Sequence, residues 1–433
     1  MNARKKKVEK RKCESLSSEE RKALQEIAQQ AAFGLVKEKA EENEDSVAVA
    51  KSYLDYFRRY ASSSLADKAL YHAAVAYEKA GDSKQALKIK LKLIKKYPKS
   101  ELARETLFAM AADYENSVQV KKALKLFERF AKGYPEDERA PVAWLKVASF
   151  SRALGEKEGA QKAYAKVGSD YVSHPQAHLA AINACRSLEL EIEDYRKDGF
   201  KPSKKRAELL DKCYARWLSK KEYRTRDADL RCYVLTRRAQ LYQSVLNNAA
   251  RAAGYQKDAD VVWQSIAENV SSERRRCSDV RAEIGFRGIE STFRKFGSLK
   301  LSPLDPTNAK AIKVFQASLA VVTSRRDVLL REYQKLAALG SETWSVAAAY
   351  RAGEVLMQSV DKLLSAPIAP SLALSEDDEA LVREGLREKA MPLRELAKSR
   401  FQDCLAVSRA LAVGGDWVDK ARGALAKMNP LGF

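Results

Sequence analysis

Histidine is the side chain that metal and acid–base chemistry use most often near neutral pH, and this chain of 433 residues contains three. His174 and His178 lie four residues apart, a spacing that can place two imidazoles on one helix face and begin a zinc site. Pro175 follows His174, and no cysteine or acidic residue stands at a matching distance. We therefore expect capping and surface roles for this pair, a packing or surface role for His72, and no metal site.

Six cysteines are spread along the chain without a CxxC pair. That spacing argues against a zinc ribbon or a thioredoxin-type site, and it is not typical of a scaffold held together by disulfides. We predict that most of them are small apolar side chains, namely those at Cys13, Cys185, Cys213, Cys232, Cys277 and Cys404. The cysteines therefore give no support for an oxidising compartment.

Motifs for other common chemistries are also missing from the sequence. It has no GxxxxGK[ST], GxGxxG or GxSxG, the patterns of phosphate loops, dinucleotide sites and hydrolase elbows. The acid pair Asp377 and Asp378 follows Ser375, which indicates the start of a helix. We predict a protein that is not an enzyme and has no catalytic residues and no cofactor; the alternative is a catalytic site hidden in residues 193–297.

The elements that position the remaining side chains follow an internal repeat. Several residue types recur every 37 positions, which is the signature of a repeat architecture: Tyr60, Tyr97, Tyr134 and Tyr171; Ala66, Ala103, Ala140 and Ala177; Ala86, Ala123 and Ala160. Only 18 Gly and 11 Pro, with 45% hydrophobic and 32% charged residues, favour helices in a folded, well-hydrated chain. No alternating pattern predicts a strand.

Each repeat reads as a helical hairpin. Just after the tyrosine, three of the four equivalent residues are types that cap backbone N–H groups: Ser63, Ser100, Asp137 and His174. The segments "AGDS" and "LGEKEG" supply the turn between the two helices, and proline after the tyrosine ends the second helix at residues 98 and 135. One hairpin cannot bury its apolar face alone, so neighbouring hairpins must stack.

This pattern resembles the tetratricopeptide repeat (TPR). The small residues of that family's pattern match Ala74, Ala111 and Ala148 at its position 8, and its proline matches Pro98 and Pro135. The unit exceeds the usual 34 residues by three, which we expect to lengthen the first helix by almost one turn. The longer unit with its Tyr-Pro joint is similar to repeats of bacterial envelope proteins: the Tol-Pal-associated cell division coordinator, the Bam-complex lipoprotein and gliding-motility TPR proteins.

The resemblance implies an all-α fold, a right-handed superhelical solenoid of TPR-like hairpins that is irregular towards the C-terminus. It also implies a non-enzymatic scaffold that mediates protein–protein interaction in a bacterial cell-envelope or motility assembly. We predict five segments along the chain: a basic flexible arm (1–14), a degenerate capping hairpin opened by Ser17 and Glu20 (15–60), the regular array (61–192), irregular basic helical hairpins (193–297) and a C-terminal helical region with capping helices (307–433).

In this family, partners usually bind the inner, concave face formed by the first helix of each hairpin. Two rows in register with the repeat lie there in our sequence: Tyr71, Phe108, Leu145 and Ile182, and one turn on, Val75, Ala112, Ser149 and Arg186. They predict a groove for an apolar helix or extended peptide, with packing between hairpins as the alternative. Tyr71 stands where chaperone-binding repeats carry the Lys of a carboxylate clamp, so no clamp is expected.

A second candidate surface is basic, in a chain whose formal net charge is +21. Cations crowd residues 201–281, with the patch drawn at Lys204, Lys205, Arg206, Lys220, Lys221, Arg274, Arg275 and Arg276. Aromatic residues lie between them and could stack on bases or form the helix core: Tyr214, Trp217, Tyr223 and Tyr233. The alternative function is therefore electrostatic binding of nucleic acid or anionic membrane through this segment.

One or more proteins are the predicted partners, with an acidic protein or anionic lipid surface as a further one; nucleic acid is the less expected ligand. No stretch is long and apolar enough for a transmembrane segment, and the basic N-terminus has no apolar core behind it. As written, the sequence predicts a cytoplasmic protein. The alternative is a periplasmic or outer-membrane-associated protein, if the chain is part of a longer precursor.

Overall fold

The computed structural model describes residues 17–197, 202–267, 276–369 and 375–428. These residues form α-helices joined by turns, with no strand among them and an isolated bridge between Leu304 and Ile368. The predicted all-α helical-repeat fold is therefore confirmed. The basic arm predicted at 1–14 lies outside the described residues. The chain divides into two compact units, Met1–Ser187 and Leu188–Phe433.

The first unit is a series of helical hairpins, each helix packed against the next in the chain. The helices are α1 (Ser18–Glu42), α2 (Ser46–Arg59), α3 (Ala66–Lys79), α4 (Ser83–Lys96), α5 (Glu101–Asn116), α6 (Val120–Gly133), α7 (Ala140–Ala153), α8 (Lys157–Asp170) and the first part of α9 (Ala177–Lys197). The predicted capping box opens α1, since the Ser17 hydroxyl accepts from the Glu20 N–H and the Glu20 carboxylate accepts from the Ser17 N–H.

The second unit consists of longer and less regular helices. They are α10 (Lys204–Ser219), α11 (Lys221–Arg226), α12 (Ala228–Ser244), α13 (Ala249–Ile266), α14 (Arg276–Gly297), α15 (Ala309–Ala337), α16 (Glu342–Leu364), α17 (Glu376–Ala410) and α18 (Asp416–Met428). Helix α16 is apolar along most of its length and packs against α15, α17 and α18. Its burial makes it the centre of the C-terminal core.

The recurring alanines lie at the contacts between helices of the first unit. Ala74, Ala111 and Ala148 of the first helices are buried, as are the equivalents on the second helices at Ala86, Ala123 and Ala160. Large side chains such as Phe127 fill the space beside them, and each buried aromatic contributes about 1.5–3 kcal/mol. The small and large residues that recur in the sequence thus determine how the helices of the array pack against one another.

The three residues added to the usual repeat do not lengthen every first helix, so that prediction is wrong in part. After Tyr60, Tyr134 and Tyr171 the chain makes two successive turns before the next helix begins, as in the bonds Asp137 N–H to Tyr134 carbonyl (3.1 Å) and Ala140 N–H to Asp137 carbonyl (2.9 Å). Only after Tyr97 does the helix start earlier, which makes α5 16 residues long instead of 14. Most of the insertion therefore builds the joint.

The turn inside each hairpin is also repeated in detail. Three positions 37 residues apart have positive φ angles: Gly81 at 79°, Val118 at 57° and Gly155 at 77°. In each case the N–H of the following residue donates to a carbonyl five residues back, as from Asp82 to Tyr77 at 2.9 Å. This is the left-handed helix stop for which glycine is the default residue. Valine occupies it in the middle hairpin.

The cysteine prediction is wrong at four positions, because Cys185, Cys213, Cys232 and Cys277 are all disulfide-bonded. Cys232 of α12 and Cys277 of α14 form a disulfide with a Cα–Cα distance of 5.5 Å, although 45 residues separate them in the sequence. Both are fully buried where the two helices pack. Sparse spacing could not reveal this pair, because it is the packing of α12 against α14 that brings the sulfurs together. Cys404 is a free, buried thiol, as expected of a small apolar side chain.

Candidate protein-binding face

The first predicted row lies on the first helices of successive hairpins and is only partly accessible. Tyr71 of α3, Phe108 of α5 and Leu145 of α7 are half-buried, whereas Ile182 of α9 is 6% exposed. The prediction that Ile182 lines a groove is therefore wrong, since its side chain is already buried. Phe108 packs edge-on against Phe130 of the same hairpin at 4.9 Å between ring centroids. The Arg139 guanidinium, at the start of the next hairpin, lies 4.8 Å from the Phe108 ring centroid, so this residue also packs between hairpins, as the alternative interpretation predicts.

The second row, one helical turn further on, is the accessible one. Val75 is 43% exposed, Ala112 is half-buried, and Ser149 and Arg186 are exposed. Because Ala112 and Ser149 have small side chains, they leave a shallow strip along the first helices. Val75 adds an exposed apolar side chain at one end of this strip. The strip can bind an extended peptide, or a helix whose contacting side chains are apolar or a mixture of apolar and polar, without displacing core residues.

A network of charges ties the start of α7 to α5. The Arg139 guanidinium donates to both Glu105 carboxylate oxygens at 2.7 Å and to Asp137 at 2.9 Å, and it lies 4.8 Å from the Phe108 ring centroid. Arg104 reaches the same Asp137 at 3.2 Å. Hydrogen bonds from Arg139 lower the pKa values of Glu105 and Asp137. These charges compensate one another and link two successive hairpins.

The basic segment presents fewer free cations than its sequence suggests. Lys204, Lys205 and Lys221 are exposed, while Arg206 is paired with Glu191 and Lys220 is half-buried. Arg276 is exposed and lies 3.6 Å from Asp227. Of the other predicted members, Arg274 and Arg275 lie outside the described residues. Four of the six described members of the predicted patch are therefore exposed, and one of these four, Arg276, lies near an acid.

The aromatic residues between these cations belong to the core. Tyr214, Trp217, Tyr223 and Tyr233 are each 5% exposed or less. The Tyr233 hydroxyl donates to the Glu189 carboxylate at 2.6 Å. None of the four can stack on a base, which removes the observation that favoured a single-strand nucleic-acid site.

A buried charge cluster in the second unit was missed by the sequence analysis. Arg237 contacts three carboxylates, Glu189 at 2.6 Å, Glu283 at 2.9 Å and Glu193 at 3.6 Å. Burial raises the pKa of Glu193. The adjacent cavity is about 20 Å³, enough for a single water molecule but not for a substrate. The cluster joins α9, α12 and α14, and no sequence motif marks it because its members lie on three helices.

A groove on the second unit was also not predicted. It has a volume of about 680 Å³ and lies over the small residues Ser345, Ala348 and Ala352 of α16, with walls that include Leu330 of α15 and Leu396 of α17. The run "SVAAAYRA" in α16 is the sequence signal that could have suggested it, since small residues on one helix face open space between neighbours. Its lining is mostly apolar.

The histidines have structural roles. The His174 ring accepts a hydrogen bond from the Gln176 N–H at 3.2 Å, in the turn that precedes α9, which begins at Ala177. His178 is 7% exposed, so a surface role for it is wrong. His72 stacks on Tyr53 with ring centroids 5.2 Å apart. Within the described ranges no group of three or more His, Cys, Asp or Glu residues could hold a metal ion.

No helix of the described residues is long and apolar enough to span a lipid bilayer. No curated protein matches the chain in sequence. The family model of the tetratricopeptide repeat matches residues 68–100, which run from the first helix of one hairpin to the joint with the next. This stretch is therefore similar to one tetratricopeptide unit, and the hairpins on either side of it repeat its helices and its joint every 37 residues.

Proposed function

We propose that the protein is a non-enzymatic scaffold that binds another protein along the first helices of its hairpins. A single observation carries this proposal. The accessible strip of Val75, Ala112 and Ser149 repeats in register with the array, and a ligand can cover it without displacing core residues. The similarity of residues 68–100 to a tetratricopeptide unit supports it, since these repeats typically bind proteins. The expected ligand is a helix or extended segment with small or apolar side chains.

We further propose that this scaffold works in the bacterial cell envelope, as part of an envelope or motility assembly. The buried Cys232–Cys277 disulfide supports an oxidising compartment such as the periplasm, because the reduced cytosol does not maintain structural disulfides. The Tyr-Pro joints and 37-residue units, which resemble those of envelope repeat proteins, support the same placement.

The binding proposal is tested by adding charge to the exposed strip. The full chain and its Val75→Asp and Ser149→Arg variants are used to capture partners from a native extract, and the recovered protein is then purified and titrated against each variant. We expect a loss of affinity of about 10-fold or more for both, because each places a charge in the interface without a partner. Thermal unfolding followed by circular dichroism confirms that the variants fold.

The matched control is Ala165→Arg, an exposed position on the second helix α8. It should bind as the wild type does. If the strip variants bind normally, or the control weakens binding equally, the first-helix face is not the binding site. The compartment is tested separately by cell fractionation and by alkylation of free thiols in denaturant at the moment of lysis, because both cysteines are buried in the folded chain. A cytosolic chain with alkylated Cys232 and Cys277 would contradict the proposed compartment.

A further inference from the structure

The second helices of the hairpins carry a row of cations in register with the repeat. Lysine recurs at the same position of four successive second helices: Lys51, Lys88, Lys125 and Lys162. One turn later the equivalent residues are Asp55, Lys92, Arg129 and Lys166. All eight side chains are exposed. Because the step between them equals the repeat length, these rows follow the array as the packing residues do.

The cations are least compensated on α4 and α6. Helix α4 contains six lysines and no acidic residue. We call the set of Lys88, Lys92, Lys95, Lys125 and Arg129 the lysine face. None of its members forms an ion pair with a residue in the described part of the chain. On α8, by contrast, acids pair with both cations of the rows, Lys162 with Glu158 and Lys166 with Asp170.

The cations on this surface lie close enough to repel one another. The ammonium groups of Lys92 and Lys96 lie 4.4 Å and 5.3 Å from the same Phe57 ring centroid. Burial, together with repulsion from Lys96, Arg58 and Lys88, lowers the pKa of Lys92. Arg58 is paired with Asp55, whereas Lys88 and Lys92 have no acidic partner among the described residues. A surface with such uncompensated like charges is attractive to an external anion.

The chemistry of the surface distinguishes between anions. The positions Lys88, Lys92 and Lys95 form a stripe along α4, and the repeat places equivalents on α6, so the charge extends in two directions. Leu91, 41% exposed, lies on the same stripe, three residues after Lys88 and four before Lys95. An apolar side chain among lysines suits the interface of a bilayer, where buried apolar area adds to electrostatic attraction.

The surface suits nucleic acid less well. The aromatic residues of these helices, including Phe57, Phe127 and Phe130, are buried and cannot stack on bases. Lysine predominates, and it binds as a hydrated point charge without the fork that arginine offers to phosphates and base edges. We propose that the lysine face docks the protein on a membrane surface rich in anionic lipid headgroups, a function separate from the protein-binding strip on the first helices.

Vesicle co-sedimentation of the full chain tests this proposal. Vesicles of phosphatidylcholine are compared with vesicles that contain one quarter phosphatidylglycerol, at low and high salt. We expect binding to the anionic vesicles alone, and a loss of about 100-fold in the triple variant Lys88→Gln, Lys92→Gln, Lys125→Gln, since each lysine near an anionic surface contributes about fivefold. The matched control removes three exposed lysines elsewhere with Lys204→Gln, Lys205→Gln, Lys221→Gln, and it should retain most of the binding.

A second variant separates a bilayer from other polyanions. Leu91→Ser should weaken vesicle binding severalfold and leave any binding to duplex DNA or to a polyglutamate chain unchanged, because only the bilayer interface accepts an apolar side chain. The proposal is overturned if the two triple variants lose equal affinity, which would mean that net charge alone is responsible. It is also overturned if the wild type binds DNA or polyglutamate but not anionic vesicles.

Discussion

The Tyr134 hydroxyl donates a hydrogen bond to the Pro98 carbonyl at 2.8 Å, from one joint of the array to the joint before it. The same bond occurs in the neighbouring joints, from Tyr97 to Ala61 at 2.7 Å and from Tyr171 to Pro135 at 3.0 Å. Each spans 36 residues of sequence. The tyrosine that marks the repeat in the sequence is therefore the residue that links successive hairpins and fixes their spacing.

Replacement of this hydroxyl should weaken the contact between hairpins without changing the helices. We expect Tyr134→Phe to lower the free energy of unfolding by about 0.5–1.5 kcal/mol, the usual net value of one hydrogen bond. Chemical denaturation followed by circular dichroism measures it. The control is Tyr114→Phe on α5, whose hydroxyl makes no hydrogen bond with the described residues. Equal losses in the two variants would show that the joint bond does not stabilise the array.

Val118 occupies a turn where its two equivalents are glycines. Its φ angle of 57° is costly for a β-branched residue, by roughly 1–2 kcal/mol, and its side chain is 78% exposed, so little burial is lost on removal. We expect Val118→Gly to raise the free energy of unfolding by about 1 kcal/mol. An increase in the midpoint of urea denaturation at unchanged slope would show it.

The matched control reverses this substitution at an equivalent turn. A Cβ added at Gly81 meets no atom within 4 Å, so Gly81→Val tests the backbone conformation alone. We expect it to lower the free energy of unfolding by about 1–2 kcal/mol. If Val118→Gly is neutral or destabilising while Gly81→Val costs nothing, the left-handed turn is not a shared requirement of the hairpins.

The sequence was sufficient for the parts of the fold that repeat. Tyr60, Tyr97 and Tyr134 marked the joints, because stacked units impose the same residue at the same place. The sequence was insufficient where one contact depends on distant chain segments. The Cys232–Cys277 pair and the Arg237 cluster each join helices that no periodic signal connects. The sequence of the joint does not distinguish a longer helix from a turn, since three extra residues fit either equally well.

The sequence predicted which helices carry the two candidate rows but not how far each row is buried. Periodicity placed Phe108 and Ile182 on the first helices, and it cannot distinguish a groove from a contact between helices, because both require apolar residues at the same spacing. The structure separates the two rows by exposure, which leaves Val75 and Ser149 as the accessible residues. The lysine rows recur in the same 37-residue register.

The disulfide between Cys232 and Cys277 should contribute strongly to stability. It closes a loop of 45 residues, and loop-closure entropy for that length corresponds to about 4 kcal/mol. We expect the double variant Cys232→Ala, Cys277→Ala to lower the free energy of unfolding by about 2–4 kcal/mol. Denaturation of the wild type with and without reductant should give at least this difference, because reductant also acts on the disulfide-bonded Cys185 and Cys213. Peptide mapping without reduction identifies the cross-link directly.

The control for this prediction is Cys404→Ala. Cys404 is buried and free, so its loss removes one sulfur from the core without opening a cross-link. We expect a smaller cost of about 1 kcal/mol that does not depend on reductant. A wild type whose stability is the same with and without reductant would contradict the stabilising role of the disulfide.

The contacts of Arg139 should make the array sensitive to acid. Because Arg139 lowers the pKa values of Glu105 and Asp137 in the folded state, the stabilisation is complete above the unfolded pKa values of about 4 and is lost as pH falls through the folded ones. Arg139→Met should cost about 2–3 kcal/mol at pH 7, since it leaves the Asp137 carboxylate buried with one partner fewer. The cost should shrink below pH 4, as measured by denaturation at several pH values. The control is Arg58→Met, which breaks an exposed pair with Asp55 and should change the free energy of unfolding by less than about 0.5 kcal/mol. If the loss of stability in Arg139→Met stays the same at acidic pH, the packing of Arg139 on Phe108, rather than its charge, stabilises the joint.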